Sequence, residues 1–366
     1  MSFPKLPFLE IFKDASGGNI KTPQKDFLDN GNIPVVDQGQ QLIAGYVNER
    51  ERVCKTTPPV IIFGDHTRAI KYVDFEFAMG ADGTKVLVPK GEGDTKFFFY
   101  ALRALNIPNA GYSRHYKFLK KSEIPFPPLD EQKRIAKILD AADALRAKRR
   151  EALAQLDTFL QSTFLDMFGD PVANPMGWEV KPLGELGTLN RGISKHRPRN
   201  EPSLLGGPHP LIQTGEVAKS GGYIRSYTST YSDLGLKQSK MWSTGTLCIT
   251  IAANIANTGI LTFDACFPDS VVGFLSEEAG RAEYVQGLFW FFKDILDRKA
   301  PQVAQKNINL KILRDLPVPL PPTDLQHRFA AIVKSVEQQK SRMKTHLTEL
   351  DTLFASLQQR AFNGEL

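Results

Sequence analysis

Cysteine is scarce in this chain of 366 residues, and long apolar runs and low-complexity segments are missing. The three cysteines, Cys54, Cys248 and Cys266, have no metal-type spacing, so they predict reduced thiols rather than a disulfide or zinc framework. No apolar run approaches the ~18 residues that span a bilayer, and prolines interrupt the apolar start, which lacks the core of a signal peptide. We therefore expect a cytoplasmic protein.

Motifs for catalysis are also missing. The three diproline pairs follow Thr57, Phe126 and Leu320, so none forms the Asp/Asn/Ser-Pro-Pro-aromatic motif that holds a flipped base. The chain has no glycine-rich phosphate loop, no G-x-G-x-x-G turn and no H-E-x-x-H pair, and its six histidines are scattered. We therefore expect a protein that is not an enzyme, with no metal site and no cofactor of its own.

The composition is that of a globular protein, with 42% hydrophobic and 23% charged residues. The length predicts about two domains. The net charge of +6 is mild, and most of the positive excess lies in residues 1–123 and 171–315. Such an excess is compatible with a nucleic-acid partner and equally with simple solubility.

An internal repeat organises the chain. The segment IPFPPLDEQKRIAKILDAADAL starts at Ile124, and VPLPPTDLQHRFAAIVKSVEQQ starts 194 residues later at Val318. No gap is needed to align the two copies or the segments that follow them. The identities in the first copy are Pro125, Pro127, Pro128, Asp130, Gln132, Arg134, Ala136, Ile138, Leu153, Leu156, Asp157, Thr158, Ser162 and Phe168.

Both copies predict one long helix that begins after the diproline, because proline suits a helix entry and not its interior. Apolar residues at spacings of three and four, such as Ile135, Leu139, Ala142 and Leu145, suggest a two-helix coiled coil. A helix from Asp130 to Phe168 would be about 58 Å long. We expect a capping box of Thr323 and Gln326 in the second copy only.

The segments between the helices alternate strand and turn signals and contain one helix each. Expected strands in the first are Ile33–Val36, Pro59–Phe63 and Lys85–Val88, with a helix over Phe97–Leu105; in the second they are Gly245–Ile251 and Val271–Phe274, with a helix over Glu283–Arg298. The fold class is therefore α+β: two globular α/β domains separated and joined by two long antiparallel helices, with a pseudo-two-fold repeat. The expected domains are 1–123 and 171–315, and the helical segments are 124–170 and 316–366.

These residues resemble the specificity (S, HsdS) subunits of type I restriction–modification systems. Pro127-Pro-Leu-Asp-Glu-Gln-Lys-Arg134 and its copy are similar to the family's two spacer regions, and Ala361-Phe-Asn-Gly-Glu-Leu366 is similar to its usual carboxyl end. Asp37-Gln-Gly-Gln40, Gly64-Asp-His-Thr-Arg68 and Gly111-Tyr-Ser-Arg-His-Tyr116 match one type of target recognition domain. A second type is suggested by segments that begin at Trp178, Gln213, Trp242 and Ala252.

The resemblance implies a division of labour. Each recognition domain would read one half of a split double-stranded DNA site, while the helices would set the spacer and dock two methyltransferase (M) subunits. Those subunits would hold S-adenosylmethionine and methylate adenine at N6. Motor-nuclease (R) subunits, with ATP and Mg, would complete the restriction enzyme. The missing catalytic motifs agree with this division.

Candidate DNA-binding residues in the first domain lie in two of these motifs. Arg68 suits bidentate reading of guanine, and His66 or Thr67 suits a base edge or phosphate; the alternative is an internal Asp65–Arg68 ion pair. Around the later motif, Ser113 and Arg114 suit DNA contact, and Tyr116 is either a DNA contact or part of the core.

In the second domain the basic segment around Arg191, Lys195, Arg197 and Arg199 predicts a loop that follows phosphates, or a solvated loop. Further candidates are polar or basic residues near turns: Gln213, Thr214, Lys237, Lys240, Asn254, Asn257, Thr258, Lys306 and Asn307. Gln213 suits reading of adenine, and for Asn254, Asn257 and Thr258 the alternative role is capping of a turn or helix.

Two other function classes stay open on the residues alone. One is a single-chain nuclease or methyltransferase with an unrecognised active site, which binding of S-adenosylmethionine or DNA cleavage by the purified chain would reveal. The other is a scaffold whose doubled helix only dimerises. The DNA sequence recognised does not follow from the residues, because side chains read bases only through their geometry.

Overall fold

The computed structural model describes residues 3–111, 113–252, 255–299 and 308–366, and the chain divides into two compact units. Unit 1 comprises Met1–Arg150 and Thr345–Leu366, and unit 2 comprises Glu151–Lys344. Each unit therefore contains one globular part and one half of each of two long helices.

The globular part of unit 1 holds a four-stranded antiparallel sheet, a three-stranded mixed sheet and a two-stranded sheet. Its strands are β1 (Lys5–Pro7), β2 (Phe12–Asp14), β3 (Ile33–Val36), β4 (Gly45–Val47), β5 (Val60–Gly64), β6 (Ile70–Val73), β7 (Ala78–Met79), β8 (Thr84–Pro89) and β9 (Glu123–Pro125). Its helices are α1 (Phe8–Ile11), α2 (Thr95–Ala104) and α3 (Tyr116–Leu119), followed by the long α4 (Leu129–Phe168). The strand orders are β2-β8-β5-β6, β4-β3-β7 and β1-β9.

Unit 2 has a five-stranded, a four-stranded and a two-stranded sheet. Its strands are β10 (Val180–Pro182), β11 (Thr188–Arg191), β12 (Leu205–Leu211), β13 (Gly222–Ile224), β14 (Ser229–Tyr231), β15 (Met241–Trp242), β16 (Leu247–Thr250), β17 (Thr258–Leu261), β18 (Ala265–Cys266), β19 (Val271–Leu275) and β20 (Pro317–Pro319). Its helices are α5 (Leu183–Leu186), α6 (Thr214–Lys219), α7 (Asp233–Lys237), α8 (Arg281–Lys299) and α9 (Leu310–Arg314), before the long α10 (Thr323–Asn363). The strand orders are β11-β19-β16-β17-β13, β14-β12-β18-β15 and β10-β20.

The two units share one structural frame. In unit 1 the antiparallel pair β1–β9 joins the start of the domain to the residues just before α4, and in unit 2 the pair β10–β20 does the same before α10. A short helix, α1 or α5, follows the first strand in each case. The α+β class and the expected strands and helices of both domains are confirmed, with ends shifted by one to two residues.

The largest core of each unit lies between its sheets and the long helices. Ile135 and Leu139 of α4 are fully buried against α2 and β-sheet residues of unit 1. In unit 2, Phe164 of α4 stacks on Tyr284 of α8 with ring centroids 5.7 Å apart, and it meets Phe329 of α10 at 5.5 Å. The expected apolar spacing is thus confirmed at these positions, but Leu145 is 54% exposed and does not belong to the buried stripe.

The expected capping box of Thr323 and Gln326 is wrong. Thr323 is already helical, and the amide nitrogens of Leu325 and Gln326 bond to the carbonyl of Pro322, which has no side-chain acceptor. Gln326 Nε2 instead donates to the Pro321 carbonyl at 2.8 Å, and in the first copy Gln132 Nε2 donates to the Pro127 carbonyl at 2.9 Å. Each long helix therefore begins with a buried glutamine at the equivalent position of the repeat, and neither helix start depends on a threonine side chain.

The cysteines are buried and form no disulfide, and burial raises the pKa of the Cys248 thiol. Among the described residues, no helix combines the length and the apolar character needed to cross a bilayer. The same residues contain no group of three His, Cys, Asp or Glu side chains placed to hold a metal ion.

The two glutamines predict unequal effects on stability. Gln132 Oε1 also accepts the Asp94 N–H at 2.9 Å, whereas Gln326 Oε1 is buried without a hydrogen-bond partner in the described structure. Each buried group that loses its partner costs about 1–3 kcal/mol. Gln132→Leu leaves two groups without a partner, the Pro127 carbonyl and the Asp94 N–H, whereas Gln326→Leu leaves only the Pro321 carbonyl. Gln132→Leu should therefore cause the larger decrease in the free energy of unfolding of its unit. Native-state hydrogen exchange measures each unit separately; equal losses would contradict the expectation.

Candidate nucleic-acid interface

The first candidate loop leaves the buried strand β5 and is tied to a neighbouring loop. The Thr67 hydroxyl donates to the Gln38 carbonyl, and the His66 N–H donates to Gln38 Oε1 at 3.2 Å. Gly64 permits this close approach, because a Cβ there would lie 2.2 Å from Thr67 Oγ1 and 2.7 Å from the Gln38 carbonyl oxygen. The motif thus forms a loop at the end of β5, and the Thr67 hydroxyl is used to bind the neighbouring loop.

Arg68 lies at the end of this loop in a left-handed conformation, with a φ of 62°. Its Nη1 donates to the Ile107 carbonyl at 3.0 Å, and the side chain is half-buried. Asp65 is buried, and its Oδ1 accepts the Tyr116 N–H at 2.7 Å. The loop is therefore held by these bonds to backbone groups and not by the alternative Asp65–Arg68 ion pair.

A cleft of about 650 Å³ runs beside Arg68. Its wall includes Gln40, Lys71 and Arg103, none of which we had singled out from the sequence. Lys71 Nζ donates to the Asp37 carbonyl at 2.8 Å, and burial lowers the pKa of its ammonium, an effect that the Asp37 carboxylate opposes. The motif Asp37-Gln-Gly-Gln40 contained a signal for this cleft, since Gln40 lines it and Asp37 holds Lys71 in its wall.

The second motif of the first domain is bonded to the first through Asp65, but its arginine lines a different cleft. Arg114 is exposed and lines a separate cleft of about 520 Å³ together with Lys21, Lys85 and three aspartates. Ser113 Oγ is buried without a hydrogen-bond partner among the described residues. Tyr116 packs against Phe8 and Phe63 at 6.0 and 6.2 Å, and burial raises the pKa of its hydroxyl to about 12. The structure thus separates Arg68 from Arg114 and gives Tyr116 the contacts of a core residue.

The basic segment of the second domain forms the predicted loop after β11. Arg191 ends β11, and Lys195 is exposed. Arg197 Nη1 donates to the Ser194 carbonyl at 2.6 Å, and Arg197 and Arg199 both form ion pairs with Asp269. Two of the four basic side chains are therefore partly neutralised by one carboxylate.

The loop and two further candidates meet at a cleft of about 260 Å³. Arg199, Gln213 and Thr214 line it with Ser194 and Ser270. Gln213 also caps α6: its side chain accepts the Glu216 N–H, and its own N–H donates to the Glu216 carboxylate at 3.1 Å. Gln213 therefore has a capping role that the sequence did not indicate, although its side chain stays exposed.

The turn after α7 touches the same basic loop. The Gln238 carbonyl accepts the Lys195 N–H at 3.4 Å, and Gln238 Oε1 accepts the His196 N–H at 3.0 Å. Lys237 and Lys240 are exposed on this turn, and Lys240 Nζ lies 4.1 Å from the centre of the Trp242 ring. Lys195, Lys237 and Lys240 therefore belong to one basic surface of unit 2.

The remaining candidates are placed away from the basic loop or are not described. Asn257 and Thr258 line a cleft of about 370 Å³ beside the halves of α4 and α10 in unit 2, and Asn257 Oδ1 accepts a bond from Lys293 Nζ at 2.8 Å. Asn257 is thus packed in the turn before β17, and Thr258 begins that strand. Asn254, Lys306 and Asn307 lie outside the described residues.

Comparison with known families identifies the chain. The family model described as "Type I restriction modification DNA specificity domain" matches residues 10–155 and again residues 175–351. The chain therefore belongs to this family, and the family domain occurs in it twice. The resemblance inferred from the repeated spacer and the domain motifs is confirmed.

The curated relatives are named as specificity subunits of type I restriction enzymes. The chain is 32% identical over 197 residues to the EcoR124I/EcoR124II specificity subunit of Escherichia coli, a match that covers 50% of this chain and 48% of the relative. It is 24% identical over 258 residues to the putative MjaX specificity subunit of Methanocaldococcus jannaschii, covering 66% of this chain and 57% of the relative. The chain thus matches only about half the length of these relatives.

Solved structures show the same fold. The S subunit of a type I restriction–modification system from M. genitalium aligns over 99% of this chain and 96% of its own, with a TM-score of 0.61 and 18% identity. A chain of the type I R-M system, solved to explain complex assembly and conformational transition, aligns over 100% of this chain and 98% of its own, with a TM-score of 0.53 and 17% identity.

The ion pairs of Arg197 and Arg199 with Asp269 lead to a prediction about affinity for DNA. Asp269→Asn removes the carboxylate that Arg197 and Arg199 share, so both guanidiniums become available to phosphate. We expect tighter binding to DNA of any sequence, with a slope of log affinity against log salt that steepens by roughly one to two. Titrations at several salt concentrations measure both effects, and Asp166→Asn on α4 provides an exposed control. Unchanged affinity would mean that the arginines only hold the loop.

Proposed function

We propose that the chain is the DNA-recognition subunit of a type I restriction–modification complex and that each domain reads one half of a bipartite site. The observation that carries this proposal is the double occurrence of the family domain, once over each globular part. The names of the relatives, all specificity subunits, support it.

The two domains offer surfaces suited to such reading. In unit 1 the cleft beside Arg68 combines basic side chains with Gln40, and in unit 2 the cleft beside Arg199 combines a guanidinium with the Gln213 amide. Arginine pairs bidentately with guanine and glutamine with adenine, whereas lysine on a loop contacts phosphate without sequence information. We assign Arg68 to base reading and Lys195 to phosphate binding.

The helices serve as the spacer and as the docking site for two M subunits. Within unit 1, Arg146 of α4 pairs with Asp351 of α10, and within unit 2, Asp157 of α4 pairs with Lys340 of α10. These pairs support an antiparallel coiled coil and a pseudo-two-fold repeat. The chain itself does not catalyse: the M subunits bind S-adenosylmethionine and methylate adenine at N6, and R subunits use ATP and Mg for restriction. The complex works in the cytoplasm.

Methylome sequencing of cells that express this chain with its M subunit tests the proposal. A methylated-adenine motif in two parts, absent without the chain, is the expected result. A single-chain enzyme would instead methylate or cleave DNA when purified alone. Either activity in the isolated chain would contradict the proposal.

Two substitutions should separate base reading from phosphate binding. Arg68→Ala should relax one position of one half-site, because a bidentate base contact contributes about 1–3 kcal/mol of discrimination. Lys195→Ala should weaken binding to all sequences and reduce the salt slope by roughly one. Methylome profiles and salt titrations measure the two effects. If Arg68→Ala weakened binding uniformly and left the motif unchanged, the assignment of Arg68 would be wrong.

The length of the helices should set the spacer. Four residues inserted after Glu151 and after Thr345 lengthen each helix by about 6 Å. That is nearly two base-pair steps of about 3.4 Å each. The methylome should show a longer spacer between unchanged half-sites. The same insertion after Gly91, in an exposed turn, is the control. A changed half-site with the old spacer would show that the helices do not measure distance.

A further inference from the structure

Charged residues recur at equivalent positions of the repeat, with one set in each unit. The offset of 194 residues that relates the two copies also relates these sets. The set of unit 1 is Asp143, Arg146 and Asp351, and the set of unit 2 is Glu337, Lys340 and Asp157. An acid and a base one turn apart on one helix thus face an aspartate on the other helix in both units.

In unit 1 the central base is Arg146 of α4. Its Nε lies 2.6 Å from Asp351 Oδ1 of α10, and its Nη1 lies 2.7 Å from Asp143 Oδ1. The guanidinium carbon is 4.3 Å from the centre of the Phe354 ring, and only 13% of the side chain is exposed. Arg146 therefore links the two long helices from a position that is largely shielded from water.

In unit 2 the central base is Lys340 of α10, and 5% of its side chain is exposed. Its Nζ lies 2.8 Å from Asp157 Oδ1 of α4 and contacts the Glu337 carboxylate. It also donates to the Gly221 carbonyl, next to β13, at 3.3 Å. Lys340 thus joins both helices and the globular part of its unit.

The globular part also supplies an arginine to the acid in each unit. Arg103 Nη1 of α2 lies 3.1 Å from Asp143 Oδ2, and Arg225 Nη2 lies 3.5 Å from Glu337 Oε2. The sheets of the two domains differ in strand number and order, and the arginines come from different elements, helix α2 in unit 1 and the segment after β13 in unit 2. The order arginine, acid, base, aspartate is the same in both.

Displacement of one long helix along the other would break these ion pairs and cost free energy. A buried charge that loses its partner is strongly destabilising, and fixing register is the best-attested role of buried polar groups between helices. A slip of one helix by a single residue moves it by about 1.5 Å, which is enough to break contacts of this length. Sliding of α4 along α10 would therefore leave the positive charge of Arg146 or Lys340 without its carboxylate partner.

We infer that Arg146 and Lys340 are positioning residues that hold the two long helices in register and fix the recognition domain of their own unit on them. Together they make the complex strict about spacer length. This inference rests on the proposed function, since it requires a bipartite site whose halves are read by the two domains.

Synthetic duplexes test the inference in the complex of the full chain with its M subunits. The site found by methylome sequencing is prepared with the native spacer and with spacers one base pair shorter and longer, and methylation rates are compared. Lys340→Met removes the charge and keeps an apolar chain, Lys340→Arg installs the base that unit 1 uses, and Lys148→Met changes an exposed lysine of α4.

We expect Lys340→Met to keep both half-sites and to lower the preference for the native spacer by roughly tenfold, which corresponds to about 1.4 kcal/mol. Lys340→Arg and Lys148→Met should keep the wild-type preference. Arg225→Gln, at a side chain 45% exposed, removes only the link to the domain, so it decides the question if Lys340→Met does not fold; it should also lower the preference.

The outcomes separate the two hypotheses. Variants that melt at a lower temperature but keep the full preference for the native spacer would reduce the network to a structural role and overturn the inference. A wild-type complex that methylates all three duplexes equally would overturn the proposed function instead.

Discussion

A helix of 40 residues is about 60 Å long, and its apolar side must be covered along that whole length. One small domain cannot supply that cover, so each long helix is buried in two parts. Leu139 of α4 is buried in the core of unit 1, and Phe164 of the same helix is buried in the core of unit 2. The largest core of each unit depends on this shared use of α4 and α10.

The frame around the helices is repeated, whereas the contents of the domains are not. The pairs β1–β9 and β10–β20, and the bonds of Gln132 and Gln326 to proline carbonyls, recur in both units. The sheets between these fixed points have different strand orders. These strand pairs keep the first and last residues of each domain close together. Domains with different sheets can therefore be accommodated by the same pair of long helices.

Sequence reasoning succeeded where the signal was local. The periodic apolar residues of α4 and the buried strand β5 were found within two residues of their bounds, since spacing and strand propensity are properties of short segments. It failed for the capping box at Thr323, because the diproline already sets the helix start and leaves Gln326 another acceptor. It also missed Lys71 and Arg103, which reach the Arg68 cleft from a strand and a helix that are distant in sequence from one another. For Gln213 the sequence suggested only reading of adenine, and its bonds to Glu216 at the start of α6 were missed.

The left-handed backbone at Arg68 limits how this loop can change over time. A φ of 62° is costly for branched side chains and is tolerated best by glycine, asparagine and aspartate. Substitutions at this position should therefore favour short side chains and disfavour isoleucine, valine and threonine. The backbone conformation therefore restricts which side chains can replace Arg68, whatever the loop contacts.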